Sequence, residues 1–281
     1  MDQQSGGDPR SAFSGGSRVA FFGGSFDPPH LGHLGVAHAA LAALGLDSVL
    51  FAPVGTQPLK PQGTVAGFED RLAMTRLAIA AEPRFALSLA DAPRPSGAPN
   101  YTLETLLALR AQLPPQSALF CLMGADSFAA FRRWHRAAEI PFVAPLIVAS
   151  RPSKSLWFQH DLQSALPDGV TLVTEGGSYT EGGGGFNPRI TPTEQTRALA
   201  PEICHSADEI ALRRYILRNP DGELAPFYLL PGLHIEISAS DIREQIRISE
   251  QTQAPTAAQK PHPALLPAPV LEYILTHNLY Q

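Results

Sequence analysis

The chain has 281 residues, of which 44% are hydrophobic and 17% are charged, and its formal net charge is −5. This length and apolar content suffice to bury a sizeable core, so we expect a globular protein with one large domain. The negative net charge argues against a surface that binds the phosphate backbone of nucleic acids. A local basic pocket for a small anion is still compatible with this net charge. No nucleic-acid partner is therefore expected.

The cysteines and the N-terminal segment indicate the compartment. Cys121 lies in an apolar run and Cys204 in a polar one, and together they supply neither a disulfide framework nor paired zinc spacing. Residues 1–17 lack a basic stretch followed by a long apolar one, so we interpret them as a flexible tail. No apolar run approaches the roughly 20 residues that span a bilayer. We expect a cytoplasmic protein with no membrane partner.

Short apolar runs alternate with helical patterns through the first 150 residues. The predicted strands are Val19–Phe22, Ser48–Val54, Phe85–Ala90, Ala118–Met123 and Leu146–Ala149. The predicted helices between them are Gly35–Leu44, Phe68–Ala81, Leu103–Leu113 and Ser127–His135. Such alternation predicts βαβ units, and therefore an α/β fold with a Rossmann-like, doubly wound parallel sheet. Ligands of such sheets bind at the carboxyl ends of the strands.

The pattern weakens after residue 152. Loop-rich insertions are predicted at about 175–222, which is glycine-rich, and at about 252–263, which is proline-rich. Within and between them we predict a short helix from the capping box at Ser206 to about Arg218, a strand at Phe227–Leu230, a helix capped by Ser238 or Ser240, and a last helix at Pro269–His277. The last two helices form a small C-terminal helical portion. We interpret residues 18–281 as a single domain.

The segment GGSFDPPHLGH, residues 23–33, follows the first predicted strand. Gly23 and Gly24 carry no side chain that would keep the backbone N–H groups away from a polyphosphate. The following helix adds unpaired donors and a partial positive charge at its N-terminus. His30 and His33 lie on one side of its first turn, where both imidazoles can donate to phosphate oxygens. The segment therefore predicts an anion site suited to nucleotidyl transfer.

The two histidines also admit a metal site as an alternative. No carboxylate or cysteine supplies a third ligand at a fitting spacing, so we expect no metal held directly by the protein.

Two motifs and three longer segments resemble a known group of enzymes. GGSFDPPHLGH resembles the (T/H)xGH signature of the nucleotidyltransferase superfamily, and ISASDIR, residues 237–243, resembles its second motif, ISxTxIR. NYTLETL, MGADSFAAFRRWHRAAEI and LLPAPVLEYILTHNLY resemble segments of the bacterial nicotinate-nucleotide adenylyltransferase family, and the resemblance covers most of residues 18–152 and 226–281. It implies transfer of the adenylyl group of ATP to nicotinate mononucleotide, with Mg²⁺ bridging the triphosphate and pyrophosphate as the second product.

The resemblance also implies which residues contact each substrate. It assigns the catalytic phosphate contacts to His30, His33 and Arg243. It assigns the ATP site to Gly23, Gly24, Ser25, Phe26, Gly124, Asp126, Arg151, Ser238 and Ser240, with Asp126 holding ribose hydroxyls. It assigns the nicotinate mononucleotide site to Lys60, Tyr101, Thr102 and Trp134. Ser25 and Ser240 stand where the family often has threonine, and both keep the hydroxyl.

Other functions stay open beside this one. An adenylyltransferase that prefers nicotinamide mononucleotide would differ in a few contacts that one sequence does not reveal. Enzymes of the superfamily that act on other small phosphates fit less well, because the pantetheine-phosphate enzymes usually have threonine in place of His30. A nucleotide-binding module without turnover would not need His30, His33 and Arg243 together. The sequence also leaves open whether the protein forms a homo-oligomer.

Overall fold

Eight strands form one sheet within the part of the chain that the computed structural model describes, namely residues 16–59, 63–150, 159–173, 212–230, 238–251 and 265–281. The strands are β1 (Arg18–Gly24), β2 (Ser48–Pro53), β3 (Phe85–Leu87), β4 (Ala118–Gly124), β5 (Leu146–Ala149), β6 (Thr171–Val173), β7 (Arg213–Arg218) and β8 (Leu224–Leu230). Their order across the sheet is β3-β2-β1-β4-β5-β8-β7-β6. The strand order reverses between β1 and β4, and an open α/β sheet binds ligands at such a point.

The sheet is parallel from β3 through β8, and β7 adds an antiparallel edge that is extended by β6. Phe21 of β1 pairs in register with Leu50 of β2 and with Cys121 of β4. The central strands are apolar along most of their length, as expected when helices cover both faces of a sheet. The predicted α/β class with a mostly parallel, Rossmann-like sheet is confirmed.

The helices divide between the two faces of the sheet. They are α1 (Leu31–Leu44), α2 (Phe68–Ile79), α3 (Thr102–Gln112), α4 (Ala125–Ala129), α5 (Ile140–Val143), α6 (Gln159–Ala165), α7 (Ala239–Gln251) and α8 (Ala268–Thr276), with 3₁₀ turns at Phe131–Arg133 and Ala137–Glu139. Ala20 and Phe22 of β1 pack in one apolar core with α1, α2, α7 and α8. Val19 and Phe21 point to the opposite core, with α3 to α6. This division follows from the period of two along a strand.

Two predicted helices are wrong in part. The helix predicted to end near Arg218 is strand β7 from Arg213 onward, because this segment pairs antiparallel with β8 and buries Leu217. A capping-box signal is local, and the pairing partner lies across a turn that the pattern did not reveal. The helix predicted at Ser127–His135 is only α4 followed by a 3₁₀ turn, since Trp134 is extended and Arg136 has a left-handed φ of 50°.

Other boundaries differ by a few residues. The third strand ends at Leu87 instead of Ala90, and the last helix is Ala268–Thr276. The tail up to residue 15, the helix start at Ser206 and most of the two insertions lie outside the described residues. The single-domain interpretation therefore stays a prediction. Among the described residues, no helix is both long and apolar enough to cross a membrane.

We predict that Gly55→Ala destabilises the fold. An added Cβ would lie 2.5 Å from the backbone Cα and N of Pro93, and that backbone has no flexible end to move aside. We expect the free energy of unfolding to fall by about 1–3 kcal/mol, as in other overpacked sites. Chemical denaturation measures it, with Gly124→Ala as the control because nothing lies within 4 Å of a Cβ there. Equal stability of the two variants would contradict the prediction.

Candidate active site

The loop of residues 25–30 connects β1 to α1 at the carboxyl edge of the sheet. Phe26 has a left-handed φ of 47° and is only 2% exposed, and the Asp27–Pro28 peptide bond is cis. His30 is the N-cap residue of α1, with an extended backbone. The N-terminus of α1 therefore lies beside the point where the strand order reverses.

The two motif histidines lie against each other. Their ring centroids are 3.7 Å apart, and the His33 ring also contacts the rings of Phe22 and Phe26. The backbone N–H of His30 donates to Nδ1 of His33 over 3.2 Å. Because Nδ1 accepts this bond, the proton of the neutral His33 ring is on Nε2, which is then a donor. The pair therefore presents an oriented N–H at the start of α1.

The two glycines at the end of β1 lie against aromatic rings. A Cβ at Gly23 would lie 2.8 Å from the ring of Phe21, and one at Gly24 would lie 3.2 Å from the ring of Phe26. Sequence reasoning explained both glycines by ligand approach. The structure adds a second reason, which is that the aromatic rings occupy the space of a side chain.

Arg71 of α2 is a buried cation that the sequence analysis missed. Its side chain donates to the carbonyl oxygens of Ser25 at 2.7 Å and Val54 at 2.8 Å. Burial lowers the pKa of the Arg71 guanidinium, and the charge of Asp27 opposes that shift. Arg71 therefore ties the loop after β1 to the end of β2. The hydroxyl of Ser25 adds a second tie by donating to Oε1 of Gln57 over 2.9 Å.

Asp27 is a second residue that the sequence analysis missed. Its carboxylate is buried and accepts bonds from the N–H groups of Val65 at 2.8 Å and Ala66 at 3.1 Å. It also accepts the hydroxyl of Tyr280, the penultimate residue, at 2.8 Å. Burial and then the charge of Asp27 raise the pKa of the Tyr280 hydroxyl, so that hydroxyl keeps its proton and donates.

The second motif reaches the same loop. Arg243 of α7 donates through Nη1 to the carbonyl oxygen of Asp27 at 2.6 Å, and this nitrogen lies 3.8 Å from Oδ2 of that residue. Nη2 donates to the hydroxyl of Ser240 at 3.2 Å. Ser238 is the N-cap of α7, since its hydroxyl accepts from the N–H groups of Ser240 and Asp241. The structure thus brings the guanidinium of Arg243 to a residue three positions before His30.

Gly124 and Asp126 lie on the same edge of the sheet. Phe22 of β1 pairs with Leu122 of β4, so Gly124 ends its strand level with Gly24. Gly124 caps α4, and Asp126 lies in the first turn of that helix. Both therefore lie beside the point of strand-order reversal, where open α/β sheets bind ligands.

The residues assigned to the second substrate form a separate group at α3. Tyr101 is the N-cap of α3 and Thr102 its first residue. The ring of Tyr101 packs against His135 at 4.3 Å, and the adjacent Trp134 is half-buried with its ring edge-on to Phe131 at 5.5 Å. Lys60 and Arg151 lie outside the described residues, so the structure does not test their assignment.

A cleft of about 320 Å³ lies beside the loop after β1. It is lined by Val54, Gly55, Thr56, Gln57, Pro58, Gly63, Thr64 and Pro99. Asn100 fixes the position of Thr56 in the lining of this cleft. The side-chain oxygen of Asn100 accepts from the backbone N–H of Thr56, and the backbone N–H of Asn100 donates to the Thr56 carbonyl oxygen, both at 3.0 Å. The cleft thus connects the end of β2 with the segment that carries Tyr101. Within the described ranges, no group of three or more His, Cys, Asp or Glu residues could hold a metal ion.

The fold and the two motifs define a class of Rossmann-like α/β proteins that bind nucleotides at the carboxyl edge of the sheet. Residues 21–245 match the model of the cytidylyltransferase-like family. The chain belongs to this family.

Two curated proteins are similar in sequence to this chain and carry the same name. A protein of Gloeobacter violaceus named a probable nicotinate-nucleotide adenylyltransferase is 44% identical over 137 residues, which are 49% of this chain and 65% of that protein. A protein of Dechloromonas aromatica with the same name is 35% identical over 218 residues, or 76% of this chain and 91% of that protein. The chain therefore matches slightly less than two thirds of the first relative and most of the second. The resemblance to nicotinate-nucleotide adenylyltransferases is confirmed.

A solved structure agrees with the fold. Plasmodium falciparum nicotinic acid mononucleotide adenylyltransferase complexed with NaAD aligns with a TM-score of 0.55 over 94% of this chain and 97% of that chain. The sequence identity is 13%, so this likeness shows the fold alone.

We predict that Arg71→Leu destabilises the protein because it leaves the carbonyl oxygens of Ser25 and Val54 without their donors. We expect a loss of about 1–3 kcal/mol in the free energy of unfolding, the usual cost of a buried polar group without a partner. Arg76→Leu is the matched control, since Arg76 lies on the exposed face of the same helix. The prediction is wrong if chemical denaturation gives both variants the same stability.

Proposed function

We propose that the protein transfers the adenylyl group of ATP to nicotinate mononucleotide, giving nicotinate adenine dinucleotide and pyrophosphate, in the biosynthesis of NAD. The observation that carries this proposal is the contact of Arg243 with the Asp27 carbonyl, since it joins the two motifs that lie more than 200 residues apart. The names of the curated relatives support the choice of substrates.

The reaction needs positioning and charge stabilisation more than covalent chemistry. A 5′-phosphate oxygen of nicotinate mononucleotide attacks the α-phosphorus of ATP, a new P–O bond forms, and the bond to the β-phosphate oxygen breaks as pyrophosphate leaves. No covalent intermediate on the protein is required. Preorganised donors that face the developing charge therefore supply much of the rate enhancement. Mg²⁺ would enter with ATP as part of the substrate and would neutralise charge on its phosphates.

The described residues offer such donors at one place. The proton on Nε2 of His33 is oriented by the bond that His30 makes to Nδ1. The Arg243 guanidinium lies against the same loop and carries a fixed positive charge. The N-terminus of α1 adds backbone N–H groups and a partial positive charge. We assign the α-phosphate to His33 and the leaving phosphates to Arg243.

The remaining assignments divide between two neighbouring regions. We place ATP beside Gly24, Ser25 and Gly124, with Asp126 on the ribose hydroxyls. We place the nicotinate ring near Tyr101, Thr102 and Trp134, because flat aromatic rings stack with a gain of about 0.5–1.5 kcal/mol beyond burial. The cleft is lined by residues that follow β2 and by Pro99, two positions before Tyr101, and we place the approach of the acceptor on that side. A cytoplasmic location fits Cys121, which is a buried free thiol.

The proposal is tested by measuring pyrophosphate release from ATP with either nicotinate mononucleotide or nicotinamide mononucleotide as acceptor. We expect release with the acid, and a higher kcat/KM for the acid than for the amide. Preference for the amide would overturn the choice of acceptor. Binding of both substrates without any release would instead favour a nucleotide-binding module.

We predict that His33→Ala lowers kcat by about 10²–10³-fold with a modest change in KM, because it removes a donor to charge that develops during transfer. His38→Ala is the matched control. His38 lies on the same helix, but its ring packs on Phe85 and lies 3.6 Å from Glu82, away from the motif loop. Steady-state kinetics with ATP and nicotinate mononucleotide measure both variants. A kcat of His33→Ala close to that of His38→Ala would remove the role we assign to His33.

A further inference from the structure

The penultimate residue of the chain contacts the loop between β1 and α1. Tyr280 follows α8, its side chain is buried, and its ring belongs to the same apolar core as Phe26. Its hydroxyl donates to Oδ1 of Asp27, which stands 253 positions earlier in the sequence. A core tyrosine needs a partner for its hydroxyl, but this partner lies next to the residues that we place on the phosphates.

The carboxylate of Asp27 and its carbonyl oxygen offer Arg243 two alternative acceptors. In the structure Nη1 of Arg243 is 2.6 Å from the carbonyl oxygen and 3.8 Å from carboxylate oxygen Oδ2. The longer distance is beyond that of a hydrogen bond. A carboxylate is the stronger acceptor for a guanidinium, because both groups are charged and their geometries match. Something must therefore keep the carboxylate from capturing Arg243.

The bonds already made by Asp27 supply that restraint. Oδ2 accepts from Val65, and Oδ1 accepts from both Ala66 and Tyr280. Three donors fix the orientation of the carboxylate and occupy three of its roughly four acceptor positions. Two of the donors are backbone groups, so only the Tyr280 hydroxyl can be removed by substitution without altering the loop.

We infer that Tyr280 is a positioning residue for the transfer reaction: its hydroxyl restrains the Asp27 carboxylate and thereby leaves the Arg243 guanidinium on the Asp27 carbonyl, directed at the phosphates. The inference rests on the proposed function for its effect on rate. Without the hydroxyl, Oδ1 loses a donor and the carboxylate can rotate toward Arg243. The guanidinium is then drawn into a carboxylate pair and away from the position where it would stabilise developing charge.

Burial of the Tyr280 hydroxyl maintains its hydrogen bond to Asp27 over a wide range of pH. It raises the pKa of the Tyr280 hydroxyl, and the nearby Asp27 charge raises it further, while Arg243 and Arg71 oppose the shift. The hydroxyl therefore stays protonated and keeps donating to the carboxylate across the pH range in which catalysis would be measured.

The test is the variant Tyr280→Phe, which keeps the buried ring and removes only the hydroxyl. We expect kcat to fall about 10-fold, while KM for ATP changes much less, because misplacement of a group that acts in the transition state lowers kcat. Tyr273→Phe is the matched control. Tyr273 is on α8, and its hydroxyl donates to Asp70 of α2 at 3.1 Å, outside the motif loop. A kcat of Tyr280→Phe equal to that of Tyr273→Phe overturns the inference.

A double-mutant cycle separates positioning from a general loss of structure. If Tyr280 acts through Arg243, adding Tyr280→Phe to Arg243→Ala lowers kcat little beyond the effect of Arg243→Ala alone. If the fold-decrease in kcat of the double variant equals the product of the two single-variant decreases, Tyr280 acts independently of Arg243 and the inference is overturned.

A crystal structure of Tyr280→Phe tests the same inference without reference to the reaction. We expect an Arg243 nitrogen within about 3 Å of an Asp27 carboxylate oxygen, which is hydrogen-bond distance. An Arg243 side chain that stays on the Asp27 carbonyl overturns the inference. If the wild-type protein releases no pyrophosphate, the proposed function fails, but this structural result still decides the positioning role.

Discussion

The site depends on the buried carboxylate of Asp27. A charge that is removed from water is costly unless donors surround it, and here the donors come from parts of the chain that are remote in sequence. Val65 and Ala66 donate from the segment before α2 and Tyr280 from the segment after α8. The Arg243 guanidinium of α7 lies 3.8 Å from the carboxylate, too far for a hydrogen bond, and donates to the Asp27 carbonyl oxygen. One desolvated group therefore holds together the loop on which the nucleotide chemistry is proposed to occur.

The sheet explains why these remote segments meet. β1 is central, with β2 on one side and β4 on the other, so the loop after β1 lies where the chain order reverses. The helices α1, α2, α7 and α8 share one face of the sheet, which brings the second motif and the C-terminal tyrosine over that loop. Arg71 of α2 holds the same loop by donating hydrogen bonds to the carbonyl oxygens of Ser25 and Val54. Contacts from α2, α7 and the segment after α8 therefore meet on one loop.

Much of this arrangement was predictable from sequence, since apolar periodicity located β1, β2, β4 and β5 and the motifs located His30, His33 and Arg243. The antiparallel strand β7 was missed because its pairing with β8 is a tertiary contact that outweighs a local helix signal. The burial of Arg71 could have been predicted from helical spacing. Arg71 lies on the same buried face of α2 as Met74 and Ala78. Asp27 and Tyr280 lie in segments that carry the family resemblance, but only the folded chain shows that the two are neighbours.

The proposed function requires His33 and Arg243 to converge on one triphosphate beside the Asp27 loop. A crystal structure with a non-hydrolysable ATP analogue measures this directly. We predict Nε2 of His33 and the guanidinium of Arg243 within about 3 Å of phosphate oxygens of the same analogue, at the N-terminus of α1. An analogue whose phosphates lie elsewhere on the sheet edge, or contact only one of the two side chains, would contradict it.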